Sequence, residues 1–293
     1  MLTIGLINYL NTQPFQHTLA DRLAGADVRF VFGVPTELNR ALTAGDVDVA
    51  PISSITAARL ADKVVIIPGL SIASLGAVKT VLLFSWPSDP RELDGQPVAL
   101  TDQSATSAAL LKVLCRERYG IEPDFRITPQ QLAPMLQSHA AALVIGDTAL
   151  VEANSHRMLV DATGKTRRPY MIDLGDEWLK HTGLPFVFAL WAVRRDAVDE
   201  LLAQNIHGAL EQSRDDGLAA VDALAANYAP QLDLPPGLCA RYLRDLRYGL
   251  TDDDREGLEC FLDLSLGASR TPLRYLEAVG AEQPLTAKRI ALP

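Results

Sequence analysis

A chain of 293 residues is long enough for two domains, and 48% hydrophobic with 22% charged residues is the balance of an ordinary globular protein. A formal net charge of -9, with no run of Lys and Arg, repels phosphate backbones and anionic bilayers, so neither nucleic acid nor a membrane surface is an expected partner. An anionic ligand would be captured against that field by helix N-termini and hydroxyl donors.

In chain order, Thr3 to Ile7 reads as a strand and Thr12 to Leu23 as a helix. The start lacks the basic segment and cleavage site of a signal peptide, so a cytoplasmic protein is expected. Val28 to Phe32 and Val47 to Pro51 are strands, followed by helices over Glu37 to Thr43 and Ser54 to Ala61. Val64 to Ala73 and Val78 to Ser85 continue the apolar pattern, too short to span a bilayer, which needs about 20 residues. The Pro, Asp and Gly of Trp86 to Gly95 suggest a crossing between lobes. A second alternating block has strands at Pro97 to Leu100, Phe125 to Ile127 and Ala142 to Ile145, with helices over Thr106 to Arg118, Gln130 to Ser138 and Thr148 to Asn154. A helix over Asp173 to Thr182 and a strand over Leu184 to Val193 return the chain. Helices then follow, with breaks near Asp215 to Gly217, Pro230 to Gly237 and Gly249 to Asp252. The expected fold is α/β and two-lobed: residues 1–86 and 184–293 form one lobe, 87–183 the other, with a ligand cleft between them.

Cofactor and nucleophile motifs such as GxGxxG, GxxxxGK[ST], GxSxG, CxxC and HExxH are absent. Cys115, Cys239 and Cys260 are widely spaced and read as free thiols, and the five histidines lack the helical spacing of a metal site, so no metal and no cofactor is expected. The acidic runs Asp215-Asp216 and Asp252-Asp253-Asp254 lie close to predicted helix starts and read as structural. Tyr242 and Tyr248, at helical spacing, read as core.

What recurs is a strand, a cluster of short polar residues, then a helix. It occurs at Asn8 to Thr12, where Asn11 or Thr12 would cap, at Pro51 to Ser54, and at Thr101 to Ser107. Each lies at the carboxyl end of a strand, where open α/β sheets bind ligands. A hydroxyl beside exposed backbone N–H groups makes a carboxylate site, and two such sites suit a dicarboxylate; plain N-capping is the competing explanation.

Several blocks in order carry a family resemblance: IGLINYLNTQPF, VPTELNRALTAGDVDVAPISSI, LSIAS-x-GAVKTVLLFS, DQSATSAALLKVLCRERYG, LVIGDTAL and DLGDEWLKHTGLPFVFALWAVRRD. Together, from about Ile4 to Asp196, they resemble chorismate dehydratase of the futalosine route to menaquinone, within a group sharing the type II periplasmic-binding-protein-like fold. The YLNT and SATS blocks favour it over its sister, 1,4-dihydroxy-6-naphthoate synthase. A non-catalytic protein that binds or senses a small carboxylate is the rival class. The resemblance implies a lyase for chorismate, with Asn11, Thr80 and the SATS block lining the cleft; Thr80 stands where relatives often carry Ser, and the hydroxyl is kept. Ser104, Thr106 and Ser107 are then assigned to one carboxylate, and Ser53 and Ser54 to the other or to the cap beneath it. Asp147 is either a ligand-facing base or the cap of the helix beginning at Thr148; if it is not the base, the substrate's own enolpyruvyl carboxylate is.

Overall fold

The computed structural model describes residues 1–276; the rest of the segment assigned to the first lobe, 277–293, lies outside the described residues. The chain opens with β1 (Leu2–Leu6), α1 (Gln13–Gln16), α2 (Leu19–Arg22), β2 (Val28–Phe32), α3 (Pro35–Ala44), β3 (Val49–Ser53), α4 (Ser54–Arg59) and β4 (Val64–Ser74). Then follow β5 (Val81–Ser85), β6 (Pro97–Thr101), α5 (Ala105–Val113), β7 (Asp124–Thr128), α6 (Leu132–Ser138), β8 (Ala141–Ile145) and α7 (Gly146–Ser155). A small hairpin of β9 (Leu159–Val160) and β10 (Thr166–Arg167) leads to β11 (Tyr170–Asp173), α8 (Leu174–Thr182) and β12 (Phe186–Arg194). Helices α9 (Val198–Ala203), α10 (Ile206–Ala219), α11 (Val221–Leu232), α12 (Pro236–Asp245) and α13 (Asp252–Leu266) finish it.

Two five-stranded sheets have the orders β2-β1-β3-β12-β4 and β11-β5-β8-β6-β7. In each, four strands run in one direction and the chain's crossing inserts a single antiparallel strand: β5 between β11 and β8, and β12 between β3 and β4. The fully buried strands β3, β5 and β8 are near-continuous apolar runs, while the edge strands β2 and β7 alternate towards solvent. Period-two alternation divides the second sheet: Val81, Leu83, Leu143 and Ile145 join the large core that runs through both sheets, and Leu82, Phe84, Ala142 and Val144 face a smaller cluster with Trp86 and Leu136.

Three expectations need correction. The chain crosses over Leu75 to Thr80, not at Trp86 to Gly95, because β5 already pairs in the second sheet. The Pro-rich stretch is instead a loop with a short 3₁₀ turn capped by Asp89. An apolar strand buried on both faces carries no mark of which sheet it joins. Next, α10 runs unbroken through Asp215 to Gly217, so Asp215 and Asp216 stand late in a helix and not at its start. Gly217 marks close packing, since a Cβ there would lie 2.4 Å from Pro14 Cα of α1. Finally, the predicted helix from Thr12 is broken into a 3₁₀ turn (Leu10–Thr12) and the short α1 and α2. The Asp252 to Asp254 run does open α13, where Asp254 completes a capping box with Thr251 and pairs with Arg247.

Candidate active site

The carboxyl ends of β1, β3, β6 and β8 converge on a cleft between the sheets, of about 630 Å³ including its open mouth. Asn11, Ser53, Thr80, Ser104 and Ser107 line it, over an apolar floor from Pro51, Ile52, Ile72, Val78 and Phe188. Among the described residues, none that lines it carries an ionised side chain. Another hollow, of about 240 Å³, lies away from the cleft around Glu152, Arg157 and Arg168 and contains none of the sequence-predicted residues.

The two serine-rich junctions share a pattern and divide their hydroxyls. At α4, Ser53 faces the cleft; its Oγ accepts the Asn39 amide at 3.0 Å and lies 2.8 Å from the Thr56 hydroxyl. Ser54 is fully buried and donates to the Val187 carbonyl, so it fastens α4 to β12 and is absent from the lining. At α5, Ser104 caps the helix by accepting the Ser107 N–H at 3.1 Å, while its own hydroxyl donates to Ser107 Oγ. That leaves the Ser107 hydroxyl proton free for the cleft. Thr106 turns away and accepts the Ile55 N–H at 3.2 Å, joining the two junctions across the seam. Thr106, assigned to a carboxylate, is thus a fastener between the lobes, and Ser54, assigned to the second carboxylate or to the cap beneath it, fastens α4 to β12 within the first lobe. Consecutive positions at a helix start point about 100° apart, so the hydroxyls of neighbouring residues turn to different walls.

Thr80 ends the first crossing. Its hydroxyl lies 3.0 Å from that of the fully buried Tyr242, which also reaches the Asn11 side chain. Asn11 Oδ1 has no protein partner although it is buried, leaving an acceptor with its capacity unused at the cleft wall. Neither Asn11 nor Thr12 caps a helix: Thr12 donates back to the Ile7 and Tyr9 carbonyls. Asp173, at the second crossing, accepts the Val78 and Lys79 N–H groups at 3.0 and 2.6 Å while capping α8, so the two crossings beside Thr80 are tied together. Burial raises its carboxyl pKa, and four N–H donors pull the other way.

Asp147 has a place the sequence did not indicate. It is absent from the lining, and its helix α7 begins one residue earlier, at Gly146. Its carboxylate accepts the Leu10 N–H at 3.1 and 3.3 Å and the Tyr228 hydroxyl at 2.9 Å. Burial pushes its pKa up to about 6 against those two bonds. Gly146 itself lines the cleft at φ +65°, where an added Cβ would meet the Tyr9 ring at 2.9 Å. Tyr9, held neutral by burial and by the Asp147 charge, donates to Gln103 across the cleft at 2.8 Å. Tyr9 stood inside the first polar cluster and Gly146 at a strand-to-helix junction, so both had a sequence signal; Phe188, Tyr228 and Tyr242 had none.

Among the described residues no group of three or more His, Cys, Asp or Glu is arranged to hold a metal ion, the cysteines are free, and no helix is long and apolar enough to cross a membrane.

The chain is 35% identical to the chorismate dehydratase of Thermus thermophilus over 283 residues, 94% of this chain and 98% of that protein. Its fold is that of a structural-genomics protein from Archaeoglobus fulgidus (TM-score 0.66, 19% identity, covering 90% of this chain and 96% of that one). It also matches a Candida albicans protein described as having the generic periplasmic binding protein fold (TM-score 0.64, 10% identity, 93% and 92% covered). The profile of the menaquinone biosynthesis family extends over residues 2–265, from β1 almost to the end of α13, and this chain belongs to that family.

Proposed function

We propose that the protein is a chorismate dehydratase, a lyase that removes water from chorismate to give 3-enolpyruvylbenzoate on the way to menaquinone. The observation that carries this reading is a cleft walled by neutral hydroxyl and amide groups in a chain 35% identical, over nearly its whole length, to a chorismate dehydratase. Chorismate carries two carboxylates, and neutral donors are the residue types that hold anions without forming ion pairs.

The reaction removes the hydrogen on carbon 3 and the hydroxyl on carbon 4, and the ring becomes aromatic as water leaves. The C3 hydrogen is vinylogous to the ring carboxylate, so charge develops there as the proton departs. Ser104, Ser107 and the N-terminus of α5 are suited to receive it, and donors fixed before the reaction stabilise the transition state more than the ground state. Ser53 suits the second carboxylate, and Asn11 and Thr80 the departing hydroxyl. Among the described residues the lining holds no ionised side chain, which favours the substrate's own enolpyruvyl carboxylate as the base, folded over the ring, with its pKa near that of a simple carboxylate.

Mixing the protein with chorismate and following product by mass and ultraviolet absorbance tests this. Turnover supports a dehydratase. Saturable chorismate binding without product would favour the rival reading, a carboxylate-binding protein, which the shared binding-protein fold keeps in view.

A further inference from the structure

We propose that Asp147 is a positioning residue and not a base: from the second sheet's side it latches the Asn8 to Leu10 turn and the Tyr228 hydroxyl, and thereby sets Asn11 at the cleft wall. The inference rests on the dehydratase reading for its kinetic consequences and on geometry for the latch itself.

Three parts of the chain meet at this carboxylate. The turn after β1 supplies the Leu10 N–H, one residue before Asn11; α11 supplies Tyr228; and α7 supplies Asp147. The Tyr228 hydroxyl is also 2.9 Å from the Asn8 carbonyl, so its one proton is shared between Asp147 and the start of the turn. Beside it, the left-handed Gly146 lets the Tyr9 ring pack against the start of α7, and Tyr9 closes on Gln103, which Gln130 holds at 3.2 Å. The Asp147 carboxylate therefore bonds the turn that carries Asn11 through the Leu10 N–H and the hydroxyl of Tyr228 that packs on that turn, and neither bond is directed at the cleft lining.

The groups facing Asp147 are Tyr9 from the turn, Tyr228 from α11, and Cys239 and Tyr242 from α12, all held neutral by burial and by this carboxylate's charge. No cation among the described residues pairs with it. The latch thus depends on an isolated buried charge, and it weakens as the carboxyl takes up a proton near pH 6.

The experiment combines hydrogen exchange at the Leu10 amide with chorismate turnover from pH 5 to 9, for the unaltered protein, Asp147→Ala, Asp147→Asn and Tyr228→Phe. Leu10 protection at pH 7.5 is expected to drop at least tenfold in Asp147→Ala and to be retained in Asp147→Asn, whose amide oxygen still accepts the N–H. Unaltered protein should lose kcat/KM by less than tenfold as pH falls through about 6, down to the level that Asp147→Asn shows at every pH. Asp147→Asn should keep kcat within tenfold and abolish that limb; Tyr228→Phe, by removing a bond to the charged form, should move the limb to higher pH. A thousandfold or greater loss of kcat in Asp147→Asn, with KM and Leu10 protection unchanged, would make Asp147 the base and overturn the proposal. Unchanged Leu10 protection in Asp147→Ala would overturn it equally. If the unaltered protein does not turn over chorismate, the dehydratase reading fails, and Leu10 exchange still decides the latch.

Discussion

The cleft wall and the cluster behind it use opposite electrostatics within a few residues of one another. The wall is neutral: Asn11, Ser53, Thr80, Ser104 and Ser107 offer hydroxyls and amides and carry no formal charge. Behind it, Asp147 is a buried carboxylate with no cation partner among the described residues, surrounded by tyrosines. A neutral wall holds a dianion at any pH near neutrality, whereas the rear cluster is poised to titrate. The difference separates two tasks, recognising the ligand and holding the recognising residues still, and it can be probed by changing one region at a time.

The largest effect is expected at the wall. Asn11→Ala should lower kcat by roughly 10²–10³, or about 2.7–4 kcal/mol, as removal of a preorganised polar contact does elsewhere. The loss should be the same at pH 6.5 and pH 8.5 when kcat is measured at saturating chorismate; a strongly pH-dependent loss would mean that wall and rear cluster act as one unit.

Gly146 stands between the regions. Gly146→Ala imposes a left-handed backbone on a residue with a Cβ and forces that carbon against the Tyr9 ring, so a loss of about 2–4 kcal/mol is expected in denaturant unfolding. An unchanged midpoint would show that the Tyr9 ring moves freely.

Asp147→Asn should stabilise the fold. Its carboxyl titrates near 6 when folded, above the usual carboxylate value near 4, so the folded state binds more protons between those pH values. This charge therefore lowers stability as pH rises from about 4 through 6, and the deficit is full above 6. Replacing it should raise the unfolding free energy by about 3 kcal/mol at pH 8, and the gain should vanish towards pH 4. A gain that grew at low pH would reverse the sign assigned to the rear cluster.

The smallest effect belongs to the contact of α4 with β12. Ser54→Ala leaves the Val187 carbonyl without its hydroxyl donor and should cost about 1 kcal/mol of stability, with little change in KM for chorismate. A many-fold rise in KM would return Ser54 to the binding wall.

The sequence alone determined a good deal of this protein. Alternating apolar runs and helical periods placed nearly all the strands of both sheets, because each pattern is local and the backbone satisfies it within a few residues. The strand ends marked by clustered hydroxyls led to Ser53, Ser104 and Ser107, which do meet in one cleft. The family blocks added Asn11 and Thr80, which lie in the same cleft. Tertiary structure decided the rest. Whether β5 joined the first or the second sheet depended on pairing with β8 and β11, residues far along the chain. Whether neighbouring Ser53 and Ser54 faced the cleft or the strand behind it depended on which way the helix turned against β12. The position of Asp147 depended on Leu10 and Tyr228, 137 and 81 residues away. Hydrogen-bond partners at such separations leave no periodicity in the sequence, since they are chosen only when the sheets and the C-terminal helices close around one another.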